Sequence, residues 1–76
     1  MSGRNNTFKI TFPADLILVE QSGVKHEVPQ LSVVDGIRQA EDIMHHERGL
    51  REVKLVSHQQ AIARWKADGH GWRRVA

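Results

Sequence analysis

The chain has no cysteine among its 76 residues, which excludes a disulfide framework and a thiolate metal site. It also has no tyrosine. It contains only two phenylalanines and two tryptophans. No apolar run approaches the ~18 residues of a membrane span, and the start of the chain lacks the apolar stretch of a signal peptide. We therefore expect one small cytoplasmic domain, in which an enclosed catalytic pocket is hard to build.

Groupings typical of catalysis or metal binding are also missing. Five histidines occur, but none has a second histidine four residues later and no cysteine can join them. The serines fall in predicted turns, caps and strand ends, and no phosphate-binding glycine loop is present. The sequence predicts a protein that is not an enzyme and holds no metal or cofactor. A formal charge of +2 is compatible with nucleic acid without requiring it.

The N-terminal part predicts a polar tail followed by strands. Residues 1–6 are polar and are expected to be flexible, with a single domain over 7–76. Residues 7–12, TFKITF, alternate as a half-buried strand does, and Pro13 then bends the chain.

A hairpin should follow, because LILVEQ and VKHEV flank a Ser-Gly pair. A two-residue turn there would place Ile17 opposite Val28 and Val19 opposite His26, with the apolar residues on one face. Pro29 cannot donate to a ladder and is expected to close the hairpin.

One helix is predicted over 33–48. Ser32 is a suitable N-cap, and an apolar stripe recurs every three to four residues. Gly36 falls inside the first turns, where its small size would allow close approach to a sheet. Gly49 is the expected residue just beyond the helix end.

Three further strands are expected over 51–57, 60–67 and 71–76, the last two joined by Asp68-Gly69. The fold class is therefore α+β, a small antiparallel sheet of four or five strands in ββαββ order with one helix on one face. The predicted core is Phe8, Ile10, Phe12, Ile17, Val19, Val28, Val33, Ile37, Ala40, Met44, Val53 and Leu55.

The C-terminal hairpin combines basic residues with both tryptophans. A two-residue Asp-Gly loop would place Trp65 opposite Trp72 and Arg64 opposite Arg73, whereas a four-residue loop would place Lys66 opposite Arg73. Both registers leave like charges facing each other on one side, which is unfavourable unless an anion binds there. Basic residues also guard sheet edges against aggregation, and Trp65 is as suited to the core as to a binding surface. The predicted partner-binding residues are Arg64, Lys66, Trp72, Arg73 and Arg74.

The hairpin and the order of elements resemble those of small phage-encoded inhibitors of bacterial nucleic-acid machinery. Some type I anti-CRISPR proteins share this order, and one family ends in an aromatic-Lys-x-Asp-Gly-x-x-Trp hairpin, matched here by residues 65–72, WKADGHGW. This resemblance covers about 45 residues, from the helix onward. A weaker one, to the phage inhibitor of host RNA polymerase, rests on Glu27-Val28-Pro29 and Glu52-Val53.

Both resemblances imply a binding protein that works by occupying a surface in the cytoplasm of a bacterial host. The first expectation is an inhibitor that binds a host protein or ribonucleoprotein complex, foremost a CRISPR surveillance complex. The alternatives are inhibition of host RNA polymerase, weakly specific binding of DNA or RNA by the basic hairpin, and an oligomerising module that pairs through a strand edge. The oligomeric state stays open.

Overall fold

A computed structural model describes residues 12–75 of the chain. The elements are β1 (Ala14–Glu20), β2 (Lys25–Gln30), α1 (Val33–His46), β3 (Leu50–Ser57), β4 (Gln60–Asp68) and β5 (Gly71–Arg74). The five strands form one antiparallel sheet in the order β2-β1-β3-β4-β5. The helix packs over β1, β2 and β3. The predicted α+β fold class is thus confirmed, with one more strand than the ββαββ order gave. The polar tail at 1–6 and most of the predicted strand at 7–12 lie outside the described residues.

The turn between β1 and β2 holds three residues where two were predicted. The amide of Gly23 donates to the carbonyl oxygen of Glu20 (2.9 Å), and the amide of Glu20 donates to the carbonyl oxygen of Val24 (2.8 Å). Gly23 has a φ of +97°, a conformation that glycine adopts without steric cost and that completes a three-residue hairpin loop.

The extra turn residue shifts the predicted register of the first hairpin by one position. Leu16 pairs with Val28, and Ile17 pairs with Glu27. Because side chains alternate between the two faces of a strand, this shift moves Leu16 to the helix side and Ile17 to the opposite face. The predicted pairing of Ile17 with Val28 is therefore wrong.

Pro29 lies inside β2 and does not close the hairpin. It pairs with Asp15, and the ladder continues to Gln30. The hydrogen bond between Glu20 and Val24 fixes the alternation along β2, which turns the backbone of Pro29 away from β1. β2 is an edge strand, so the missing N–H costs no ladder bond.

The helix begins as predicted and ends earlier. The Ser32 hydroxyl accepts a hydrogen bond from the amide of Asp35 (3.1 Å), as an N-cap does. The last helical residue is His46, because Glu47 is already extended although its amide donates to the carbonyl of Ile43. Gly49 (φ +85°) therefore lies in the following loop, where its carbonyl accepts from Gln21 (2.8 Å).

The core lies between α1 and the sheet. Its buried members are Ala14, Leu16, Val33, Ala40, Ile43, Val53, Leu55, Ala63 and Trp65, with Val28, Ile37, Met44 and Trp72 partly buried against them. Val19 is buried too, but on the other face of the sheet. Of the predicted core, Ile17 and Phe12 are only half-buried, and Phe8 and Ile10 lie outside the described residues.

Candidate binding surface on the open sheet face

The sheet face opposite α1, here called the open face, carries a basic cluster. Directly paired residues of an antiparallel ladder point to the same side. Val53 and Trp65 are paired and buried on the helix side, so their neighbours on β3 and β4 point the other way. The basic cluster consists of Lys54, Arg64, Lys66 and Arg73. The first three lie around the carboxylate Glu52, and Arg73 lies beyond Lys66 on β5.

The register of the second hairpin determines which basic residues of this cluster lie opposite each other. Lys66 pairs with Arg73, as the predicted four-residue loop would require, and Trp65 does not face Trp72. The ladder nevertheless continues to Asp68 opposite Gly71, so the turn is the two residues Gly69-His70, one position later than the predicted Asp68-Gly69. The carboxylate of Asp68 accepts a hydrogen bond from the amide of His70 (2.8 Å), which stabilises the turn as an Asx-turn does. A line of charges, Glu52, Lys66 and Arg73, therefore crosses three adjacent strands.

Arg64, one of the cations of the cluster, forms an ion pair within the described part of the chain. Arg64 Nε lies 2.6 Å from Glu52 Oε2, and the Glu52 side chain is only 14% exposed. Burial opposes the charged form of Glu52, but the Arg64 hydrogen bond and the charges of Arg64, Lys54 and Lys66 outweigh it and hold its pKa below the usual value of a glutamate. Glu52 therefore holds Arg64 in place, which leaves the Lys66–Arg73 pair facing solvent.

The lowered pKa of Glu52 predicts a loss of stability in acid. A group whose pKa is lower in the folded state contributes stability above its unfolded pKa and loses it as the pH falls through the folded pKa. We expect Glu52→Gln to lose less unfolding free energy than the wild type as the pH falls from 5 to 3, measured by urea denaturation. Glu20, whose pKa the hydrogen bond from His26 also lowers, is present in both proteins. An acid limb as steep as that of the wild type would contradict the assignment to Glu52.

Trp72 and Arg74, predicted to share the binding surface, lie on the helix-bearing side of the sheet. Trp72 pairs with Ala67 and is partly buried against the core, and Arg74 pairs with Trp65. The Arg74 guanidinium carbon lies 5.8 Å from the Trp65 ring centroid, in a cation–π contact. The structure therefore brings three of the five predicted residues together and separates two; their role in binding stays a prediction.

Sequence reasoning missed two members of this surface. Glu52 and Lys54 flank buried Val53 on β3, and alternating charges of this kind are typical of any solvated strand face. The signal that could have found them is the pairing of two strands that both carry charges at every second position. Across β1, the open face continues with half-buried Ile17 and buried Val19.

Other chemistry is sparse in the described part of the chain. Within residues 12–75, no group of three or more histidine, aspartate or glutamate side chains could hold a metal ion. His46 instead hydrogen-bonds the carbonyl oxygen of Asp42 on the preceding turn (2.9 Å). No helix in that range has the length and apolar character needed to cross a membrane.

Comparison with known proteins adds no relative. No family model, curated protein or solved structure matches this chain. The resemblance to phage inhibitors therefore rests on the order of elements, the hairpin pattern and the two short Glu-Val matches.

Proposed function

We propose that this chain is a non-enzymatic binding protein that covers an acidic surface of a bacterial protein or ribonucleoprotein complex with its basic cluster. The observation that carries the proposal is the Lys66–Arg73 pair, two like charges directly opposite each other on adjacent strands. Like charges in that position destabilise a sheet, and an anionic group between them relieves the repulsion.

The rest of the open face favours a protein partner over bare nucleic acid. Single-stranded nucleic acid is held by aromatic stacking beside basic residues, but both described tryptophans belong to the helix-bearing side. The open face also carries Asp15 and Glu27 on β1 and β2, which would repel phosphates. A surface with both signs of charge and apolar Ile17 suits a complementary protein surface.

The resemblance to phage inhibitors narrows the proposed target. A CRISPR surveillance complex in the bacterial cytoplasm is the first candidate, with host RNA polymerase as the alternative. In either case the protein would act by occupying a surface that the complex needs for engaging DNA. This mode of action requires no catalytic group.

Arg73 and Arg74 provide a matched test, because they are adjacent in sequence, carry the same charge and lie on opposite faces of β5. We expect Arg73→Glu to reduce the partner recovered from nuclease-treated bacterial lysate by ~10-fold or more, since a charge of the proposed contact is reversed. Arg74→Glu should retain the partner and lower the unfolding free energy by about 0.5–1 kcal/mol through loss of the cation–π contact.

Two results would count against the proposal. Equal recovery with Arg73→Glu and wild type would remove the basic cluster from the interface. Recovery that disappears on nuclease treatment and weakens steeply with salt would show that the cluster contacts phosphate directly, and direct nucleic-acid binding would replace protein binding as the function.

A further inference from the structure

The free edge of β2 presents hydrogen-bonding groups that no described residue uses. The sheet order leaves β2 and β5 at the edges. Because Glu20 and Val24 are hydrogen-bonded to each other, the next residues alternate, and the backbones of Lys25 and Glu27 point away from β1. Each of these two residues offers one N–H and one C=O to an incoming strand, whereas Pro29 offers only a C=O.

We propose that two copies of this chain pair antiparallel through β2, around a two-fold axis at His26. In this register Lys25 of each copy lies opposite Glu27 of the second copy. Both residues have outward N–H and C=O groups, so each pair closes a complete hydrogen-bonded ring. Both side chains stand on the open face, where the opposite charges attract each other across the new junction.

Charge and proline exclude the neighbouring registers. Moving the axis to Lys25 places Lys25 opposite Lys25 of the second copy. Moving it to Glu27 places the two Glu27 carboxylates opposite each other and brings Pro29, with no N–H, opposite Lys25. Like charges in directly opposed positions are destabilising, so the register centred on His26 is the one that the edge is built to accept.

The same register covers an exposed apolar side chain. Val24 is 51% exposed and would lie opposite Val28 of the second copy, on the helix-bearing side. Val28 already packs against the core, so the contact extends the core across the junction. His26 would face His26 of the second copy, and each imidazole is already hydrogen-bonded to Glu20 of its own chain.

The β5 edge does not offer an equivalent pairing. The amide of Val75 donates to the carbonyl oxygen of Arg64 (2.8 Å), which turns the backbones of Trp72 and Arg74 outward. A two-fold pairing of those two residues would place Arg73 directly opposite Arg73 of the second copy. β5 is also only four residues long. The positive charge of Arg73 protects the β5 edge against pairing, as basic residues commonly do at sheet edges.

The paired arrangement has room for both helices and a consequence for binding. Each helix packs over β1 and the two strands beside it, so the distance between the two β1 strands approximates the distance between the helices. With two β2 strands between them, the β1 strands lie about 14 Å apart at the ~4.8 Å spacing of a sheet. This distance exceeds the roughly 8–10 Å between packed helices. Both basic clusters would then lie on the same side of one continuous sheet. A dimer could therefore engage two acidic sites at once and gain affinity by avidity.

A charge-swap experiment tests the register. The wild type should reach twice the 8.7 kDa mass of the chain as its concentration rises in sedimentation equilibrium. Lys25→Glu or Glu27→Lys alone should weaken this dimer by ~10-fold or more, because each places like charges opposite each other. A mixture of the two variants should form a heterodimer, because every opposed pair in it is again Glu with Lys.

Each result has a defined meaning. A wild type that stays at the mass of one chain at the highest soluble concentration would overturn the proposal. So would a dimer that both single variants retain, since that would place the contact elsewhere. Dimerisation of the mixture but of neither variant alone would confirm the Lys25–Glu27 pairing. Because the basic cluster is on other strands, loss of the dimer would leave the proposed function standing.

Discussion

Replacing Trp65 by alanine is expected to cost about 3–5 kcal/mol of unfolding free energy, the range for truncating a buried aromatic residue. Trp65 is 8% exposed and belongs to the core cluster, beside its cross-strand partner Val53. The substitution leaves a cavity and removes the ring under the Arg74 guanidinium. Since small domains have only about 5–15 kcal/mol of total stability, we expect Trp65→Ala to be largely unfolded or to melt at least 12 °C lower, measured by circular dichroism.

Trp72→Ala is the matched control, because Trp72 is only partly buried against the same core. Its truncation should cost about 1–2 kcal/mol, since less apolar area leaves contact with the core. Each variant retains a single tryptophan, so its fluorescence reports separately on the remaining ring. Equal melting temperatures for the two variants, or an unchanged melt of Trp65→Ala, would contradict the assignment of Trp65 to the core.

The elements with clear local signals could be predicted from sequence. Ser32 caps the helix as its hydroxyl chemistry suggests. Alternation in the third strand places Val53 and Leu55 on one buried face. These signals depend on a few neighbouring residues, which is why they fix the fold class without any knowledge of tertiary contacts.

The register of the first hairpin could not be predicted, because its strand gives no alternation to follow. Residues 16–19 are all apolar, so the pattern does not show whether Leu16 or Ile17 points to the helix. The choice depended on the length of the turn, because a Ser-Gly pair is compatible with a turn of two residues or of three. A shift of one position exchanges every side chain between the two faces, and the predicted core changed accordingly.

The candidate surface was predicted only in part, for a different reason. Consecutive strand residues point to opposite faces in any register, so Arg73 and Arg74 could never have shared one surface. The composition of the hairpin drew attention to basic residues as a group. Which of them meet Glu52 and Lys54 depends on the pairing of β3 with β4, which connects residues that are separated along the chain.

Gly36→Ala is expected to destabilise the protein by about 1–3 kcal/mol, the usual cost of overpacking a core. In an exposed helix the same change would stabilise by about 1 kcal/mol, because alanine favours the helix. Here the new Cβ would lie 3.3 Å from Leu55 Cδ2 and closer still to Cδ1. Leu55 is fully buried within the core cluster, so displacing its side chain disturbs its contacts with other core residues. Urea denaturation at neutral pH measures the difference.

The same substitution in a Leu55→Val background separates the steric effect from helix propensity. Valine lacks both Cδ atoms and should itself cost only about 1 kcal/mol, so the double variant remains folded. Without the overlap, Gly36→Ala should become neutral or stabilise by up to about 1 kcal/mol. This gives a coupling of at least ~1 kcal/mol in a double-mutant cycle. An equal cost in both backgrounds would mean that Gly36 is required for a reason other than the close approach of α1 to β3.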